Sequence, residues 1–413
     1  MRTIAYLTNR FPTPLEPYVM EEIVELRRRG VAVIPCSAQR LSDAYDGELK
    51  PWSAETLYIQ PLQLSNSIKA AWLCLRRLPL LNEIIGRAVF RGCESPGRRL
   101  RAVVHTLLGA YFAVLLEKRG VRHIHVHHGY FSCWIAMVAA RLRGITYSVT
   151  LHGSDLLLHK AYLDTKLENC EFCVTVSEFN RDYLLDHVSG IDSKKVFVRR
   201  MGVDVEYLAR ERPSGTPLAM LAVGRLHTVK NYGFLLEACA RLKSGAHSFS
   251  CQIAGEGDQR PALERLIQSL GLKREVTLLG HLSRLQLDSA YANSNLMVLT
   301  SHSEGLPLVL MEAMVRGKIV LAPAITAIPE LVTDGENGFL FREGSLDDFI
   351  GKLEMIRDYS PEFLHGIGRV ARRTVLERFD RDVNLASFID LLIERTINNA
   401  ENEPHENFVL QQI

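Results

Sequence analysis

A recurring unit constrains this chain most: a short apolar run, a polar loop, a helix-forming stretch and a second apolar run. The clearest copy begins at Asn295–Thr300 (NLMVLT), short and β-prone enough for a buried strand. The polar loop Ser301-His302-Ser303-Glu304-Gly305 follows it, and Pro307 stands where a helix begins. Leu308–Arg316 are mostly good helix formers, Gly317 closes that helix, and Lys318–Ala322 (KIVLA) is the next strand. Strand, loop, helix, strand is the crossover that builds parallel sheets, so the expected class is α/β.

Two carboxylates stand out in this copy. Glu304 lies in the loop at the carboxyl end of the strand, and Glu312 is eight residues further on, inside the helix. Open α/β sheets bind ligands in the crevice outside the carboxyl ends of their strands, and both side chains can look into it. The helix start near Leu306–Val309 adds free backbone N–H groups and positive dipole, which suit a phosphate. Acceptor-only carboxylates beside a phosphate suggest a hydroxyl-rich ligand such as ribose and a sugar ring. The bland alternative makes Glu304 a loop cap and Glu312 a solvated helix residue.

Upstream, Thr3–Thr8 reads as a strand, Asn9–Pro17 as a proline-rich loop, Tyr18–Arg29 as a helix ended by Gly30, and Val31–Cys36 as a second strand. No GxGxxG fingerprint marks this turn. Val121–His127 (VRHIHVH) is a strand with His123, His125 and His127 on one side. It reads as a metal face or as structural histidines, and no partnering Cys or carboxylate is evident near it. Tyr147–Leu151 leads to His152-Gly153-Ser154-Asp155, which places His152 at a strand's carboxyl end. Met201-Gly202-Val203-Asp204 is expected to end the first lobe, and Arg212–Pro217 has the composition of a linker. The second lobe repeats the pattern. Its first loop, Gly224–Asn231, carries Arg225 and Lys230, a planar fork and a point charge that suit a diphosphate or are simply solvated cations. Further Gly loops follow at Gly255–Asp258 and Gly280–Leu282, and the tail after Asn398 is polar.

With 413 residues the chain has room for roughly two or three domains. A net charge of +2 does not mark a nucleic-acid binder. The start lacks the apolar core of a signal peptide, and no run of about 18 uninterrupted apolar residues appears. Cys170 and Cys173 form a lone CxxC in a strand-like context, so buried thiols in a reducing cytoplasm are expected. Residues Ile68–Arg101 combine Trp, Leu, Ile and Phe with eight Lys/Arg and two Glu. They read as a basic amphipathic surface for peripheral membrane contact, or as helices with a solvated basic face.

GRLHTVKN at Gly224–Asn231, GEGD at Gly255–Asp258 and EGLPLVLMEAM with its E-x7-E spacing resemble the retaining glycosyltransferase family 4, of the two-lobed GT-B type. SVTLHGSD at Ser148–Asp155 and MGVD at Met201–Asp204 are similar to it as well, so the likeness covers both lobes. It lies nearest to bacterial exopolysaccharide and cell-envelope polysaccharide transferases. The resemblance implies two Rossmann-like lobes facing a central cleft: residues 1–210 on the acceptor side, 217–378 on the donor side, and a last helix, 379–398, crossing back. It implies that Arg225 and Lys230 hold the diphosphate of a nucleotide-sugar, that Glu312 binds the ribose and that Glu304 binds the donor sugar. Backbone at Gly305, Leu306 and Leu308 would touch phosphate and sugar, and the loops at Glu256 and Leu282 would frame the base. His152 would approach the anomeric centre. No metal or other cofactor is implied, and the acceptor would be a glycan or lipid-linked glycan. The glycine-free loop Asn9–Pro17 departs from relatives that carry paired glycines there. With no second catalytic carboxylate evident in the first lobe, front-face attack is favoured over double displacement. Rival readings are an epimerase or phosphorylase on the same architecture, or an inactive sugar- or nucleotide-binding subunit.

Overall fold

The computed structural model describes residues 3–14, 16–40, 47, 49–91, 94–158, 160–206, 218–245 and 247–398. The linker expected at 212–217 and the tail after Asn398 lie outside the described residues. The chain divides into two compact units. Unit 1 comprises Met1–Val176, Arg181–Arg199 and Leu385–Ile413; unit 2 comprises Ser177–Asn180 and Arg200–Asn384.

Unit 1 holds a seven-stranded parallel sheet. In chain order its strands are β1 (Thr3–Arg10), β2 (Ala32–Gln39), β3 (Leu57–Tyr58), β4 (Val121–His127), β5 (Thr146–Leu151), β6 (Phe172–Thr175) and β7 (Val196–Val198). Across the sheet they run β3-β2-β1-β4-β5-β6-β7. Parallel strands must be covered on both faces, and side chains alternate between those faces. Ala5 and Leu7 of β1 therefore join one apolar core with helices Pro96–Leu116 and Phe131–Arg143. Ile4 and Tyr6 join the other, with helix Pro17–Arg28. Ile124 and Val126 of β4 face the first core, which sends His123, His125 and His127 to the second face.

Unit 2 holds six parallel strands: β8 (Leu218–Val223), β9 (Phe249–Ala254), β10 (Val276–Gly280), β11 (Leu296–Val298), β12 (Ile319–Pro323) and β13 (Phe339–Phe341). Their order is β10-β9-β8-β11-β12-β13. In both sheets the chain reverses its direction of winding beside the first strand, between β1 and β4 and between β8 and β11. Those are the two topological switch points, where the loops at the carboxyl edge part to leave a crevice.

The boundary between units differs from the expected one. Met201–Asp204 belongs to unit 2, because the Val203 N–H donates to the Phe379 carbonyl (3.0 Å) and the Arg381 N–H donates back to the Val203 carbonyl (3.1 Å). A Cβ on Gly202 would stand 2.6 Å from the Arg381 backbone, so the close approach requires glycine there. The last helix spans Arg381–Ile393, and from Leu385 it belongs to unit 1. Its Phe388, Ile389, Leu391 and Leu392 complete the second core. Cys170 and Cys173 are buried free thiols whose pKa burial pushes up.

Phe388→Ala is expected to destabilise the protein by about 3–5 kcal/mol. Val383→Ala on the same helix, at a side chain 64% exposed, should stay within about 0.5 kcal/mol of the parent. Urea unfolding of both variants checks the contrast.

Candidate active site

Three glycine loops of unit 2 are knit together by backbone hydrogen bonds at the carboxyl edge. The Gly224 N–H donates to the Ala254 carbonyl (2.9 Å), the Leu226 N–H to the Glu256 carbonyl (2.9 Å), and the Gly255 N–H to the Gly280 carbonyl (2.8 Å). A Cβ on Gly255 would lie 2.0 Å from the Gly224 carbonyl oxygen, and φ there is +142°, so two loops this close need glycine. The knit loops display Arg225 outward, exposed and without an ionic partner among the described residues. Glu256 is exposed and pairs with Arg260 at 2.6 Å, and Leu282 is half-buried in the third loop.

Lys230 and Glu304 come from the loops on either side of the unit 2 switch point, and the structure joins them to each other. The Lys230 Nζ donates to the Glu304 carboxylate at 2.7 Å, with the two side chains only 19% and 12% exposed. Ser301 Oγ donates to the same carboxylate. The two loops are also tied by the His302 N–H to the Val229 carbonyl (2.9 Å) and by Thr300 Oγ1 to the Lys230 carbonyl (3.0 Å). Helix Leu308–Val315 starts just beyond Gly305, Leu306 and Pro307. Glu312, on that helix, is half-buried rather than solvated. Its carboxylate accepts from the Tyr291 hydroxyl at 2.9 Å, and Arg316 lies 4.6 Å over the Tyr291 ring. Burial raises the Glu312 pKa, against the opposing pull of the Tyr291 hydrogen bond and the Arg316 charge. Tyr291 was not visible as a site residue from sequence.

In unit 1 the histidine strand has a carboxylate partner that was not evident from the sequence. Glu22 lies against the histidine strand, accepting from the Tyr6 hydroxyl and bonding His127 Nε2 at 2.9 Å. His127 Nδ1 in turn meets His152 Nε2 at 3.0 Å. A carboxylate can only accept, so it takes the Nε2–H of His127. Of the facing His127 Nδ1 and His152 Nε2, one donates to the other, so His127 links His152 to the Glu22 carboxylate. Beside this chain, His128 Nε2 bonds Glu16 at 2.9 Å, and His128 Nδ1 stands 3.7 Å from Asp155. The Asp155 carboxylate also takes the N–H groups of Gly129 (2.8 Å), Gly153 (2.9 Å) and His152 (3.1 Å). Glu16 and Glu22 follow β1, His127 and His128 end β4, and His152 and Asp155 follow β5, so the cluster sits at the unit 1 switch point. Glu22 had a signal in the sequence: with Val19, Ile23 and Leu26 it occupies the buried stripe of helix Pro17–Arg28, where a charge is out of place. Glu22, His125 and His127 offer ligand atoms within 4.8 Å of one another. The His125 nitrogens are already bonded to Ser148 (2.8 Å) and Thr150 (3.1 Å), so these residues read as a hydrogen-bonded core.

Comparison with known proteins matches the family described as Glycosyltransferase Family 4 over residues 15–207 and that described as Glycosyl transferases group 1 over 206–372. The two matches adjoin and together account for most of the chain. The chain belongs to glycosyltransferase family 4. It is 26% identical to the amylovoran biosynthesis glycosyltransferase AmsK of Erwinia amylovora, over 83% of this chain and 87% of that protein. It is 28% identical to the putative colanic acid biosynthesis glycosyltransferase WcaL of Salmonella typhimurium, over 49% of this chain and 53% of the relative, so this match spans about half the length of each. A glycosyltransferase structure from Rickettsia africae superposes with TM-score 0.69 and 19% identity, covering 96% of this chain and 99% of that one. Anabaena HepE, solved with UDP and glucose, gives 0.66 and 17% over 95% and 99%. These neighbours share the fold, two Rossmann-like parallel-sheet lobes of GT-B type.

In this transferase the unit 1 cluster separates its charges by environment. Burial, with the charges of His128 and His127, holds His152 well below the usual histidine range, so it is neutral. Burial alone would lower His128 too, but Asp155 and Glu16 outweigh it and raise its pKa to about 9. A cationic His128 is thus fixed beside a neutral His152, their ring centroids 4.5 Å apart. A hollow of about 480 Å³ lined by Arg241, His247 and Glu354 lies at the opposite, amino edge of the unit 2 sheet, away from these groups.

A base whose pKa is raised on folding stabilises below its unfolded pKa, and the contribution disappears as pH rises through the folded value. The stability gap between the parent and Glu16→Gln should therefore be full just below pH 6.5 and should close as pH rises through about 9. Chemical denaturation of both proteins across that window tests the assignment. A gap independent of pH would refute it.

Proposed function

We propose that this transferase moves a sugar, with retention of configuration, from a nucleoside-diphosphate sugar to a lipid-linked glycan acceptor at the cytoplasmic face of a membrane. The observation that carries the reading is the arrangement at the unit 2 switch point. Arg225, without an ionic partner among the described residues, stands on a knit glycine loop, and Lys230 is clamped by Glu304 from the facing loop. A cationic loop opposite a fixed carboxylate suits a diphosphate joined to a hydroxyl-bearing ring. Glu312, oriented by Tyr291, is assigned to the ribose hydroxyls, Glu304 to those of the donor sugar, and backbone at Gly305, Leu306 and Leu308 to phosphate and sugar. The loops at Glu256 and Leu282 are assigned to the base. Relatives named for colanic acid and amylovoran assembly support a polysaccharide as the product.

In the proposed step the bond from the anomeric carbon to the β-phosphate oxygen breaks, and the acceptor oxygen bonds to the same face of that carbon. The acceptor proton passes to the departing phosphate. Arg225 and Lys230 meet the charge that develops there, in the place a divalent metal takes in other transferases, so no metal is assigned. His152, neutral and oriented through His127, is assigned to the donor sugar near the anomeric carbon. The carboxylates of the unit 1 cluster are engaged with His127, His128 and backbone N–H groups, which favours the front-face route over a carboxylate nucleophile.

Purified protein melted in EDTA against a panel of nucleoside diphosphates should be stabilised by one of them, by roughly 2.7 kcal/mol at a hundredfold excess over Kd. Arg225→Ala and Glu312→Ala should each abolish the shift. A panel with no stabilising nucleotide would sink the donor-site assignment. A product of inverted anomeric configuration, read by NMR, would remove the front-face step.

A further inference from the structure

Helix Leu64–Arg76 is built inside out. Among its residues only Ala70 is buried, while Leu64, Ile68, Trp72 and Leu75 recur at helical spacing and are 78%, 62%, 57% and 73% exposed. Its apolar stripe therefore faces away from the core. The neighbouring helix Pro96–Leu116 packs against it, and the Gln63 N–H donates to the Tyr111 hydroxyl (3.0 Å) between them. That helix exposes a second stripe of Leu100, Val104 and Leu107 while its other face joins the core. Of the seventeen large hydrophobic side chains exposed among the described residues, eleven fall between Leu62 and Leu107. Scattered exposed leucines are ordinary in a soluble protein, but a concentration on one face marks an interaction surface.

The charges beside the stripes select the partner. Lys69, Arg76, Arg77, Arg91, Arg98 and Arg101 make no ion pair among the described residues. The segment's two glutamates are already engaged, Glu83 with Arg141 at 3.2 Å and Glu94 with Arg87 at 2.8 Å. Apolar stripes beside uncompensated cations match the interface of a bilayer that carries anionic headgroups. Helix Pro96–Leu116 is long and apolar enough to cross a membrane, but half of that window is buried within unit 1. The Trp134 Nε1–H donates to its Thr106 hydroxyl at 3.0 Å, pinning the helix to the unit. Adsorption, and not insertion, is the mode this geometry allows.

We infer that the exposed face of helices Leu64–Arg76 and Pro96–Leu116, with its flanking arginines, docks the protein onto an anionic lipid surface. The docking gives the lipid-linked acceptor its membrane and rests on that reading for its purpose, whereas adsorption itself needs no transfer activity. The full chain should float with vesicles of phosphatidylcholine and phosphatidylglycerol, not with phosphatidylcholine alone, and added salt should release it. Ile68→Glu with Leu75→Glu, both exposed positions, should abolish flotation while leaving the melting temperature unchanged. Arg76→Gln with Arg77→Gln should weaken binding roughly fivefold per charge removed. The assignment falls if anionic vesicles do not bind at low salt, or if binding ignores both double variants. It falls equally if the parent is a dimer that Ile68→Glu with Leu75→Glu dissociates, which would give the face to a second copy. Nucleotide-induced thermal shifts on the same preparations separate the two readings, because a lost shift with intact flotation counts against the donor site alone.

Discussion

Parallel strands share a direction, so every carboxyl end in a sheet lies on one edge and every loop that can hold a ligand opens there. In each unit the winding reverses beside the first strand, and the loops on either side of that reversal supply opposite charges. In unit 2 they bring Lys230 against Glu304; in unit 1 they bring Glu16 against His128. Neither pairing follows from sequence proximity, since 74 residues separate the first pair. The sheet order makes both neighbours.

The unit 2 site was largely legible because its ingredients lie in short, self-contained motifs. A glycine loop after a strand, an Arg and a Lys within it, and the E-x7-E spacing across a helix start can each be read locally. Partner choice could not be read. The family resemblance implied a diphosphate for Lys230 and a sugar for Glu304 without indicating that they bond to each other, and Tyr291 carried no mark separating it from any core tyrosine. Unit 1 was less legible for a physical reason. Two of its carboxylates, Glu16 and Glu22, sit on the first loop and helix, the histidines they bond more than a hundred residues later, and pairing of β1 with β4 unites them. Glu22 in an apolar stripe was the one local sign that the histidine strand had a partner.

The two sites use burial differently. Lys230 and Glu304 neutralise each other at a rim that remains partly open to water, where Arg225 stays uncompensated. The unit 1 cluster is nearly dry, and there each carboxylate must be satisfied in full: Asp155 by three backbone N–H groups and a cationic His128, Glu22 by a phenol and an imidazole. A nearly dry cluster whose carboxylates are held by several donors is stiff, since moving one member leaves another unsatisfied. Stiffness of this kind fixes the orientation of His152 without any contact from a ligand.

The last helix gives unit 1 a dependence on the order of synthesis. The face of its sheet that carries Ile4, Tyr6 and Phe172 is closed by Phe388 and Ile389, near the far end of the chain. During translation the ribosome must make all of Arg200–Asn384 before those residues emerge, a delay on the order of ten seconds or more. Throughout that interval the nascent first unit lacks part of one apolar core, whereas unit 2 can close its own core once the helices that follow its last strand, with Phe349, Leu353 and Ile367, have been made.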